Sequence, residues 1–240
     1  MQWIPAVTDF FRTKNWAMNL LLASVCVLIP IIGPIVLLGW CVQCFLAWHE
    51  GREHPDLDFN LFLRYLMWGL WPFLVWLVMG LGMVLLLIPA GLLWIMIPAF
   101  QLEGFAAAVV FLLGTGVSGL LYLGMCVLFV PIAIRAALMQ DFAAGFSPAF
   151  VRDFLKKTGV ETLLVEIVLI VASIVGTVAG YLCLIIGVYP ATALLIFAMW
   201  RLFSQLYALY LERGGTPVVI SLELRNPPAV PPAPGSPVGV

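Results

Sequence analysis

Charge is scarce in this sequence. Only 10% of the 240 residues are Asp, Glu, Lys or Arg, where a soluble globular domain carries about 25%. So little charge cannot cover a surface that faces water. The net charge of -1 also excludes a global basic field, so no nucleic-acid partner is expected. Histidine is nearly absent, with His49 and His54 alone, which removes the usual general base from most of the chain. The five cysteines, Cys26, Cys41, Cys44, Cys126 and Cys183, all fall in apolar runs. A disulfide framework would place them in polar loops, and buried free thiols act as small hydrophobes. No set of side chains implies a cofactor.

Apolar sequence fills the space. Hydrophobic residues make up 64% of the chain, and the mean hydropathy is +1.13. About 20 apolar residues cross a bilayer as a helix. The uncharged stretch 15–48 would be about 50 Å long as one helix, and Pro30, Gly33 and Pro34 interrupt it at its centre. Two short spans joined by a tight turn fit better. Arg12 and Lys14 before this run resemble the start of a signal peptide, but without a small-x-small cleavage site the run reads as an uncleaved first span. A third span is expected at about 64–88, then an external loop or re-entrant segment over 89–104, where Pro89, Gly91 and Pro98 cluster. Spans four to six are expected at 105–134, 163–182 and 191–211.

The expected fold is therefore all-α: a polytopic transmembrane bundle of six spans in three hairpins, with cytoplasmic interfacial helices. With both termini cytoplasmic, all eleven Lys and Arg residues fall on the cytoplasmic side or at that end of a span, as the positive-inside rule requires. Residues 1–213 form the helical domain. Residues 214–240 form a tail, and its stretch 227–240, with six prolines and no charge, is expected to be disordered.

One interfacial helix is expected to start at Ser147-Pro148, with Ser as N-cap and Pro at the first helical position, and to stop at Gly159. Its Phe146, Phe150 and Phe154 repeat every four residues, opposite Arg152, Lys156 and Lys157. That pattern suits a helix in the headgroup layer, with the three basic residues on anionic lipid.

Motifs with catalytic associations do not complete a site. Gly116-Val117-Ser118-Gly119 matches the GxSG of rhomboid proteases, but the base such a serine needs is missing from span six. Helix packing explains the small residues instead: Gly114, Ser118 and Gly119 in span four, and Gly176 and Gly180 in span five. Cys41-Val42-Gln43-Cys44 sits inside a span, away from the accessible helix N-terminus a redox CxxC needs. Metal ligation there would need ligands this spacing does not supply. Glu166 lies one to two turns into span five, and intramembrane carboxylates are rare. Glu166 is expected to pair with a basic residue, Arg201 in the same leaflet of span six or Arg135, or to reach cytoplasmic water, and not to face lipid.

The Pro30–Pro34 turn, Gly39-Trp40, the polar segment from His49 to Asp58, Cys183–Gly187 and Ser204-Gln205-Leu206-Tyr207 together resemble a prokaryotic membrane family, domain of unknown function 4013, over about residues 8–212. The resemblance implies a helical protein of the prokaryotic cytoplasmic membrane and brings no catalytic residue with it. The residues lead to a non-enzymatic scaffold or accessory protein that binds lipid, partner helices or a second copy of the chain. A small-solute transporter or channel with a polar cavity lined by Glu166, Arg201, Gln205 and Tyr181 is the competing reading.

Overall fold

The computed structural model describes residues 3–101, 103–183 and 186–225. Among these there is no strand, and the chain is a bundle of α-helices. A short helix α1 (Trp3–Thr8) and a 3-10 turn (Asp9–Arg12) lead into α2 (Trp16–Leu28) and α3 (Ile32–His49). Two long antiparallel helices follow, α4 (Phe62–Ala99) and α5 (Gly104–Met139). The short α6 (Phe142–Gly145) precedes a second long pair, α7 (Pro148–Leu182) and α8 (Val188–Glu212), and α9 (Leu222–Arg225) closes the described chain. Five helices, α3, α4, α5, α7 and α8, are long and apolar enough to cross a membrane, while α2 is shorter, with 13 residues.

The break expected near Pro30 lies where the sequence puts it. α2 ends at Leu28, Ile29 is extended, and Ile31 takes φ 65° to start α3. Glycines then let backbones touch. A Cβ at Gly33 would lie 1.7 Å from the Cys26 carbonyl oxygen, one at Gly39 would lie 1.9 Å from that of Tyr65, and one at Gly69 1.8 Å from that of Ile35. α2, α3 and α4 are therefore joined through their main chains, which glycine alone permits.

Two expected boundaries do not occur. No loop or re-entrant segment spans 89–104, because α4 runs through Pro72, Pro89 and Pro98 to Ala99 before turning. Each proline removes one backbone donor, but without water an unwound segment would leave several polar groups unpaired. Nor is there a separate interfacial helix at 148–157. α7 begins at Pro148 as expected but continues through Gly159 to Leu182. An interior glycine costs only about 1 kcal/mol, less than ending a helix that continues into an apolar run. Phe150 and Phe154 are buried against Tyr210, so the phenylalanine stripe faces the bundle and not the headgroups.

Burial divides the molecule into two halves. α3, the start of α4, the end of α5, the first half of α7 and most of α8 enclose Trp40, Phe45, Tyr65, Phe154, Trp200 and Phe203. The remaining parts of α4, α5 and α7 expose most of their apolar side chains. The packed body extends past Arg213: the Val218 and Thr216 amides donate to the hydroxyls of Tyr207 (2.9 Å) and Tyr210 (3.0 Å), and Ser221 N–H donates to the Leu138 carbonyl (2.9 Å). Val218 and Leu224 are buried. The proline-rich stretch 227–240 lies outside the described residues.

Candidate functional site

Between the α4–α5 pair and the α7–α8 pair lies a cleft of about 440 Å³. It is built from one face of each helix. α4 contributes Trp76, Met79 and Met83, α5 contributes Tyr122, Met125, Cys126 and Phe129, and α8 contributes Thr192, Leu195, Ile196 and Met199. Ser173 and Thr177 of α7 lie at its exposed end, and Glu166, two turns before Ser173, lies at its buried end. Glu166 is only 6% exposed. Tyr122 and Cys126 lie one turn apart on α5, and Glu166 lies within electrostatic reach of both. Among the described residues Glu166 makes no hydrogen bond or ion pair.

The expected Glu166–Arg201 pair does not form. The Arg201 guanidinium donates to Asp9 at 2.9 Å and lies over the Trp48 ring, 4.8 Å from its centroid. Helix geometry is the reason: successive residues turn by about 100°, so Arg201 faces away from the cleft that Met199 lines. Asp9 belongs to the 3-10 turn that packs at α8 and also meets Arg12 at 3.1 Å. Sequence reading missed this acid because it sits in a polar flank outside every span.

His54 is not at the surface. It is buried in an aromatic cluster with Phe10, Trp40, Trp48 and Phe197, and a ring nitrogen lies 3.1 Å from the Asp9 carbonyl. Trp40 donates to the Pro55 carbonyl at 3.0 Å. Asn19 donates to Asp56 at 2.8 Å and accepts from the Leu57 amide. The polar segment after α3 is thus fastened across α2 and α3.

Of the basic residues expected at the lipid surface, Arg152 and Lys156 are exposed, whereas Lys157 pairs with Asp153 (2.8 Å) and lies over the Tyr210 ring. The Lys157 hydrogen bond and the one from Tyr210 hold Asp153, which precedes the apolar stretch of α7, below the usual carboxylate range. Arg213 does the same for Glu161.

The small residues divide by environment. A Cβ at Gly180 would come within 2.7 Å of the Val188 backbone, one at Gly176 within 3.2 Å of Leu195, and one at Gly114 within 2.5 Å of the Trp94 ring. Ser118 is half-buried and returns its hydroxyl to the Gly114 carbonyl at 2.7 Å. Gly119 does not pack, since nothing lies within 4 Å of its Cβ position. Cys41 and Cys44 are fully buried, and among the described residues no three His, Cys, Asp or Glu side chains cluster as metal ligands would.

Long apolar helices that expose many of their large apolar side chains define the class: an all-α membrane protein. A family model described as Protein of unknown function (DUF4013) matches residues 22–188, and the chain belongs to that family. The match covers α3, α4, α5, α7 and most of α2 but stops at the start of α8, so Ser204–Tyr207 lie beyond it. No curated protein and no solved structure matches the chain.

Proposed function

We propose that this is a non-enzymatic membrane accessory protein that holds a small lipid-soluble guest in the cleft between its two long hairpins. The observation that carries the reading is the cleft itself: apolar walls, a volume of about 440 Å³, and a mouth among exposed apolar side chains. Ligand sites have this size and this mixture of many apolar walls and few polar groups. A guest dissolved in lipid reaches such a mouth without entering water. A transport path shared by Glu166 and Arg201 loses support, because Arg201 is committed to Asp9.

Gly80 provides the test. It lines the cleft, and nothing lies within 4 Å of its Cβ position, so Gly80→Phe fills the space without a backbone clash. In nanodiscs the wild-type protein should bind the neutral fluorophore N-phenyl-1-naphthylamine saturably, and Gly80→Phe should lose that binding while keeping its helical circular dichroism. Equal binding by both forms would overturn the reading.

The bilayer in question is the prokaryotic cytoplasmic membrane, with both chain ends on the cytoplasmic side. Alternation of antiparallel helices supports this by gathering the end of α3, the start of α4, the end of α5 and the start of α7 at one end of the bundle. Arg52, Arg64, Arg135, Arg152 and Lys156 collect there, and exposed Arg152 and Lys156 are placed to meet anionic headgroups. In a cysteine-free background, single cysteines at residues 53 and 215 should resist an impermeant maleimide in intact cells. Labelling of either from outside would reverse the topology.

A further inference from the structure

We propose that the cleft selects lipophilic organic cations, a class of guest that rests on the reading of the cleft as a binding site. Glu166 is the first ground. Its carboxyl points into the cavity, is 94% buried by the complement of its 6% exposure, and has no hydrogen-bond or ion-pair partner among the described residues. The walls bring no positive charge to it: α4 and α8 present no ionisable group to the cleft, and α5 presents Tyr122 and Cys126. The nearest cation along α8, Arg201, is turned away and held by Asp9. A buried carboxylate without a counter-charge is costly, and a bound cation offsets that cost where a neutral or anionic guest does not.

The walls define what sort of cation fits. Trp76, Tyr122 and Phe129 offer aromatic faces, which attract a positive charge through their quadrupoles. Met79, Met83, Met125 and Met199 surround the same space. Methionine is unbranched and polarisable, and it adapts to guests of different shape. The combination favours a chemical class over a single compound. Hard metal ions are excluded by the donor set, since one carboxylate does not make the six to eight oxygen ligands that calcium takes or the near-octahedral oxygen set that magnesium demands. The mouth sets the last requirement. Trp76 is 59% exposed and Tyr122 45%, on a surface that is otherwise apolar, so the cation must be soluble in lipid: a quaternary ammonium, an arylphosphonium or a delocalised dye cation.

The experiment compares two probes of nearly the same shape and opposite charge, tetraphenylphosphonium and tetraphenylborate. The full chain is placed in phosphatidylcholine nanodiscs, and binding by equilibrium dialysis is corrected with empty discs. The wild-type protein should hold tetraphenylphosphonium at one saturable site and show no saturable binding of tetraphenylborate. Glu166→Gln should weaken the phosphonium by at least about tenfold, the loss expected when one side of a buried charge pair is removed, and Glu166→Asp should restore most of it. Neutral N-phenyl-1-naphthylamine, bound equally by wild type and Glu166→Gln, shows that the variant retains its cleft. Phosphonium binding unchanged in Glu166→Gln, or borate binding as strong as phosphonium binding, would overturn cation selectivity while leaving the cleft as a site for neutral guests. Failure of all three probes to saturate would remove both proposals.

Discussion

Replacing Gly39 or Gly69 with alanine should be, with the same change at Gly33, among the costliest single methyl additions to this protein. The two residues face each other's helices, and the new Cβ would lie 1.9 Å from the Tyr65 carbonyl oxygen in one case and 1.8 Å from that of Ile35 in the other. Neither obstacle is a side chain that can rotate away. α3 and α4 would have to separate, which breaks the contact under Trp40, Tyr65 and Trp68. Overpacking typically costs about 1–3 kcal/mol and occasionally more, and a backbone obstacle belongs at or above the top of that range. Gly119→Ala is the control: its Cβ meets nothing within 4 Å, so the change should be neutral or gain about 0.5–1 kcal/mol of helix preference. Thermal unfolding in detergent, followed by circular dichroism, compares the three. A Gly39→Ala midpoint equal to that of Gly119→Ala would show that the helices do not meet through their backbones.

The second large effect is expected at Asp9. Its side chain is 8% exposed and that of Arg201 22%, with the charged atoms 2.9 Å apart. Removing one partner leaves the other charge buried without compensation, at a cost of about 3–5 kcal/mol. Asp9→Ala should therefore lower the unfolding midpoint sharply, and Asp9→Asn by less because it keeps a hydrogen-bond acceptor. The double variant Asp9→Ala with Arg201→Met should lose less than the sum of the two single changes. Arg12 also meets Asp9, but its side chain is 71% exposed, and exposed pairs contribute about 0–1 kcal/mol. Arg12→Ala should thus be mild. An unchanged midpoint for Asp9→Ala would show that α1 and its turn do not anchor α8.

Much of the fold was legible in sequence because lipid imposes simple rules. Long uncharged runs read as helices, and the Pro30–Pro34 cluster marked the turn between α2 and α3, where local chemistry decides the outcome. Pro89 and Pro98 misled by the same logic. Their local cost is real, but the surroundings penalise an unwound chain more, and a sequence window does not contain those surroundings. The phenylalanines of α7 show a second limit. A helix on the membrane surface and one packed on a bundle both carry a single apolar stripe, and its period is the same in each, so only the tertiary partner, Tyr210, tells them apart. The candidate site was half legible. Glu166 stood out as an acid in an apolar run, but its surroundings come from four helices spread over more than a hundred residues. Arg201 was assigned to Glu166 by depth alone, whereas the angle around α8 sends it to Asp9.

The unequal lengths of the helices have a mechanical consequence. α2 has 13 residues and α3 has 18, whereas α4, α5 and α7 have 38, 36 and 35. At 1.5 Å per residue these heights are about 20 and 27 Å against about 52–57 Å, on either side of a hydrocarbon layer of roughly 30 Å. α4 and α5, uncharged after Arg64 and before Arg135, must tilt steeply or stretch the surrounding lipid, whereas α7 keeps its charged first turns outside the layer. The short hairpin draws the bilayer inward, and each adjustment costs fractions of a kcal/mol per Å of mismatch. One flank of the molecule fits a thin membrane and the other a thick one, so the protein should deform any bilayer of uniform thickness and settle where the thickness already changes.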